Sequence, residues 1–76
     1  MRPCIPEHRL EIVMSIISER DLPLKTRQAV RLVVLNGYTY ELAEIKSGVT
    51  RKTIAKAVKH IDKIDTLLVK TYRNSI

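Results

Sequence analysis

The sequence predicts an all-α domain of four to five helices, and three observations carry that expectation. Hydrophobic residues make up 45% of the 76 positions, yet Trp and Phe are absent and only three Tyr supply aromatic bulk, so the core has to be aliphatic. Its Leu, Ile, Val and Ala recur at spacings of three and four, the period of a helix with one buried face. Pro23, Gly37 and Gly48 fall between these runs, where helices begin and end. A chain of this length has room for one domain, 1–76, and buries a modest share of its unfolded surface, so support from a partner chain is expected.

Taken in order, Pro6 suits the first turn of a helix, and Leu10, Val13, Met14 and Ile17 then describe an amphipathic helix over about 6–19. Ile12 and Ile16 lie off that stripe and form a second apolar strip, with two readings: a deeply buried helix or a dimer contact. Asp21-Leu22-Pro23 breaks the pattern. Ala29, Leu32 and Val33 then describe a second helix over about 24–36, closed by Gly37 at its C-cap. Lys25 and Arg27 in its first turn read either as solvated charges or as phosphate contacts. Thr39 can cap a short third helix through Lys46, with Leu42 and Ile45 three apart, and Ser47-Gly48 ends it. Thr50 is a good N-cap for a fourth helix whose buried stripe is Ile54, Ala57, Val58 and Ile61. The pattern runs on through Ile64, Leu67 and Leu68 to Tyr72, as one long helix or as two bent near Asp65-Thr66.

Residues 39–60 have the organisation of a helix-turn-helix: a short helix, a tight turn holding a glycine, an apolar residue, and a second helix. Ala43 is small enough for two helices to cross closely, Gly48 permits the turn, and Val49 and Ile54 plug the space between the helices. Ala43 precedes Gly48 by five residues where the usual pattern has four. Either the turn holds an extra residue, or Glu44 takes the small-residue position and is pushed to the edge.

With the apolar positions turned inward, Thr50, Arg51, Lys52, Ala55, Lys56 and Lys59 project outward, the side a recognition helix turns to the major groove. Residues 46–61 hold five basic residues and no acidic one, within a chain of net charge +6. Arg51, Lys52, Ala55 and Lys56 are the candidate base readers, Arg51 being able to bond a guanine bidentately. Thr39, Tyr40, Lys46, Thr50, Thr53 and Lys59 are the candidate contacts to the DNA backbone, since they lie at helix ends, the turn or the rim of the outward face. Ile64, Leu67, Leu68 and Tyr72 in segment 61–76 are the candidate dimerisation residues.

An enzyme is not expected. His8 and His60 are far apart, the acids Glu41/Glu44 and Asp62/Asp65 at i, i+3 read as making surface ion pairs or balancing charge, and two glycines cannot build a phosphate-cradling loop of the usual kind. Cys4 is the only cysteine, so no intrachain disulfide or cysteine zinc cluster forms, and neither a metal nor another cofactor is expected. No apolar run approaches the about 20 residues of a membrane span, and residues 1–6 lack the apolar stretch of a signal peptide, so a bacterial cytoplasmic location, with the nucleoid or a plasmid, is expected.

The stretch from Asn36-Gly37-Tyr38-Thr39 through Gly48-Val49-Thr50-Arg51 to Ala57-Val58-Lys59-His60 resembles the helix-turn-helix of the TrfB/KorA family of plasmid transcriptional repressors. The same region is similar, less closely, to PapB-type regulators of bacterial adhesin operons, at Asn36-Gly37 and near Leu67 to Tyr72. Either resemblance implies a homodimeric repressor on an inverted-repeat operator, reading bases with the helix that starts at Thr50 and blocking access to a promoter. The alternative is a helical protein-interaction module such as an antitoxin or a sigma-like or anti-sigma regulator, supported by the apolar strip of the first helix and by Ile61, Ile64, Leu67 and Leu68.

Overall fold

The computed structural model describes residues 5–74, with side chains through Thr71. The described residues form four helices and no strand: α1 (Glu7–Ile16), α2 (Leu24–Val34), α3 (Tyr40–Ser47) and α4 (Arg51–Asn74). The expected all-α class is therefore observed. The fourth pattern is a single helix of 24 residues, about 36 Å long, which resolves the choice left open at Asp65-Thr66.

α4 packs against each of the other three helices, and α2 also packs against α3. The core takes Leu10, Val13 and Met14 from α1 and Ile54, Ala57, Val58 and Ile61 from α4, as the spacing expects, and Ala29, Val30 and Val33 from α2, where Val30 is sealed and the expected Leu32 is only partly buried against the core. Leu22 and Ile17 from the α1–α2 connection close one side of it. α3 contributes one fully buried side chain, Ala43, so its backbone can lie close to its neighbours.

Both early helices are shorter than their apolar patterns suggest, and backbone hydrogen bonding gives the reason. α1 ends at Ile16 rather than near 19, because Ile17 turns extended and the nearby carbonyls find a partner outside the helix. That partner is Arg27. Its guanidinium donates to the carbonyls of Met14 at 2.6 Å, Ile17 at 2.6 Å and Leu22 at 2.7 Å. Orphan carbonyls at a helix C-terminus need such donors, and a cation there also opposes the negative end of the helix dipole. Arg27 is thus neither a solvated charge nor a phosphate contact. α2 stops at Val34 rather than 36: the N–H groups of Leu35 and Asn36 both turn to the Arg31 carbonyl, and the chain leaves through Gly37 at φ 73°.

Two further arginines fix α1. Arg9 makes a two-pronged contact with Asp65 of α4, Nη2 lying 3.1 Å from Oδ2, and Asp65 is 5% exposed. The expectation that Asp65 makes a surface pair is overturned: it is a buried carboxylate that has to keep its partner. Arg31, one turn after Arg27, holds both oxygens of Glu11 at 2.8 and 2.9 Å. Ile12 and Ile16 are 43% and 58% exposed, so the second apolar strip of α1 is not buried within the chain.

These straps carry measurable consequences. Arg27→Met keeps the aliphatic stem but strands three carbonyls, and is expected to lower stability by about 2–3 kcal/mol in urea unfolding followed by circular dichroism. A loss below about 0.5 kcal/mol would show that water replaces the guanidinium without cost. The hydrogen bond from Arg31, and then its charge, hold the Glu11 carboxyl below its ordinary 4.5. A depressed carboxyl stabilises the fold fully above about pH 4.5 and loses that contribution as pH falls through the lowered value. Both partners are more than a third exposed, so the gain is at most about 0.5 kcal/mol. Arg31→Met should accordingly flatten the acid limb of the stability profile between pH 5 and 3, and an unchanged limb would rule the pair out as its source.

Candidate nucleic-acid interface

The turn into the N-terminal end of α4 is built by six short-range bonds. Thr39 caps α3 by accepting from the Leu42 N–H at 3.1 Å, which aims the helix, and the Ser47 hydroxyl bonds back to the Ala43 carbonyl at 2.6 Å. Gly48 then adopts φ 78°, a conformation that needs glycine although a Cβ would meet only open space. Its N–H donates to the Glu44 carbonyl at 2.8 Å, closing α3. Thr50 begins α4: its carbonyl accepts from Ile54, and its hydroxyl lies 2.9 Å from that of Thr53 and 3.4 Å from the Thr53 N–H.

The connection between α3 and α4 is three residues, 48–50. Ala43 is sealed in the core, while Glu44 lies at the edge, where its carboxylate accepts from the Arg51 N–H at 2.7 Å and pairs with the Arg51 side chain at 3.5 Å. A carboxylate at that place satisfies one orphan N–H of α4 and complements the positive end of its dipole.

Beyond this end, α4 has two opposed faces. Ile54, Ala57, Val58, Ile61 and Asp65 are buried on one. Lys52, Lys56, Lys59, Lys63 and Lys70 are exposed on the other, at spacings of four, three, four and seven that keep them on one stripe about 27 Å long. None of the five pairs with a carboxylate among the described residues. Asp65 is turned into the core, which leaves Asp62 as the exposed acid of the described part of α4.

The expected site residues divide along this helix. Lys52, Lys56 and Lys59 stand together on the outward face. Arg51 is exposed at the edge beside α3 but held by Glu44, and Ala55 is half-buried on that same flank. Thr53 lies on the opposite flank, and Lys46 is exposed at the end of α3. Thr39 and Thr50 are exposed but already serve as helix caps, and the ring of Tyr40 is half-buried against the core. Among the candidate dimerisation residues, Leu67 and Leu68 are 56% and 37% exposed, Ile64 packs against the core, and the side chain of Tyr72 lies outside the described residues.

Lys63 and Lys70 extend the lysine stripe by about three turns and are not among the expected contacts. Their signal was in the sequence, as the continuation of the Lys52, Lys56, Lys59 spacing, but it acquires meaning only once α4 is continuous. Leu42 and Ile45, three apart on α3, are 40% and 71% exposed and take no part in the core. His8 and His60 are both exposed and stand on different helices. Among the described residues no group of three His, Cys, Asp or Glu is placed to hold a metal ion, and no helix is long and apolar enough to cross a membrane.

Comparison of the chain with protein families, with curated proteins and with solved structures finds no match.

Proposed function

We propose that this protein is a sequence-specific DNA-binding transcriptional repressor in which α3, the 48–50 turn and α4 act as a helix-turn-helix, α4 entering the major groove. The observation that carries the reading is the unpaired lysine stripe along the face of α4 opposite its buried stripe. Five cations on one side of a rigid helix match the phosphate rails that border a groove, and they release condensed counterions when they bind. The N-terminal turn, with Arg51, Lys52 and Ala55, reaches base edges, while Lys59, Lys63 and Lys70 meet phosphates as the helix leaves the groove. The carboxylate of Glu44 presets the position from which the Arg51 guanidinium swings to a guanine.

Two copies joined through the exposed Leu67 and Leu68 would present two reading helices to an inverted repeat, about 34 Å apart along the DNA. A dimer on such an operator excludes polymerase from an overlapping promoter. A second reading, a helical protein-interaction module, draws on the exposed Leu42 and Ile45 of α3. Salt separates the two, because apolar docking is nearly insensitive to it.

DNA enriched from a random pool should bind with an affinity that falls by orders of magnitude between about 50 and 200 mM salt. Lys63→Ala is expected to weaken all sequences equally and to reduce the salt slope by about 1, while Arg51→Ala loses affinity chiefly for the enriched site. Equal losses on enriched and random DNA for Arg51→Ala would remove that residue as a reader. For the dimer, Leu68→Asp should convert the species seen in sedimentation to a monomer, and an unchanged dimer would exclude the C-terminal strip.

A further inference from the structure

A cleft of about 500 Å³ lies between the start of α2 and the flank of α4, lined on one side by Leu22, Pro23 and Thr26 and on the other by Thr53, Lys56 and His60. Three features make its α2 wall a site for an anion. The N–H groups of Leu24, Lys25 and Thr26 have no acceptor among the described residues, since Pro23 at the N-cap offers no side-chain oxygen and the first turn holds no acid. The dipole of this 11-residue helix places its positive end there. Thr26 supplies the third and independent observation. It is only 6% exposed, yet its hydroxyl bonds to no described residue. Every side-chain polar atom sealed within the described residues has a partner, so this hydroxyl is open to the cleft that Thr26 lines.

The facing wall adds the charge of Lys56 and the ring of exposed His60, one turn apart on α4. One negative group stands at the rim, Asp21, whose carboxylate accepts from the Ser18 hydroxyl at 3.2 Å. Backbone N–H groups at a helix start, a hydroxyl and a lysine are the donors that a tetrahedral oxyanion takes. We propose that this cleft binds a phosphate group, supplied by a phosphodiester of the DNA strand that α4 docks on. The choice of source rests on the nucleic-acid reading above; the oxyanion site itself does not. Lys56 then faces the cleft rather than a base, which moves it from reader to anchor and places α2 in the interface beside α4.

Inorganic phosphate, added to the ¹⁵N-labelled full chain at constant ionic strength set with chloride, is the first probe. The amide signals of Leu24, Lys25 and Thr26 should shift saturably, and Thr26→Val, which replaces the hydroxyl by a methyl of the same shape, should weaken that binding about fivefold, the size of one lost hydrogen bond. Lys56→Gln, at an exposed position where folding is not at stake, should weaken it further. Amides that do not saturate, or equal affinity in the parent and both variants, would overturn the site. A duplex is the second probe. Movement of the same amides on DNA supports the phosphodiester as source; movement of the Lys52 and Lys59 signals alone overturns that source and leaves groove binding in place. A duplex that moves no signal, while phosphate does, removes the DNA reading and retains an oxyanion site.

Discussion

The Arg27 guanidinium, with each of its three nitrogens donating to one of the carbonyls of Met14, Ile17 and Leu22, is the constraint on which the arrangement of the helices depends. α1 leans on α4 through aliphatic side chains, which are non-directional, and through the one Arg9–Asp65 contact, which alone would leave the far end of α1 a range of angles. A planar fork that has to meet three fixed acceptors tolerates very little. With the end of α1 and the α1–α2 connection pinned to the first turn of α2, Leu22 drops into the core and the start of α2 is brought against α4.

The two kinds of cation are used differently. Arg9, Arg27, Arg31 and Arg51 each bond to a carboxylate or to carbonyls within the chain, whereas the lysines of α4 have no such partner among the described residues. Geometry accounts for the division: the guanidinium satisfies several acceptors at once and is weakly hydrated, while the ammonium is a strongly hydrated point charge best left in water. Much of the arginine charge therefore does structural duty, and the cationic field outside the protein comes largely from one lysine-bearing face.

The aliphatic stripes were legible because burial imposes the helical period directly on residue type. Leu10, Val13 and Met14, and Ile54, Ala57, Val58 and Ile61, fall where the spacing puts them. Helix ends were less legible: α1 stops short of its apolar pattern because Arg27, ten or more residues away, takes the carbonyls, and no local signal announces a partner at that distance. Asp65 was misjudged for the same reason, since the i, i+3 spacing from Asp62 says nothing of Arg9 across the core. On the basic face of α4, composition locates the charged segment but cannot say that the helix runs unbroken, so a sequence reading ends the lysine stripe at Lys59. The free hydroxyl of Thr26 had no sequence signal at all, because a buried threonine in a helix looks the same whether or not it faces a cleft.

The continuity of α4 also fixes a phase. Each residue turns the helix by about 100°, so every feature along its length shares one angular reference, set where Thr50 starts the helix and Gly48 aims it. One residue inserted after Lys59 would leave the first turns in place and swing Lys63, Lys70 and the Leu67–Leu68 strip by more than a quarter turn. It would also pull Ile61 and Asp65 out of the core. Angular registry between the two ends is thus protected by the packing of the middle, and the helix behaves as a keyed shaft whose far end cannot drift relative to its near one.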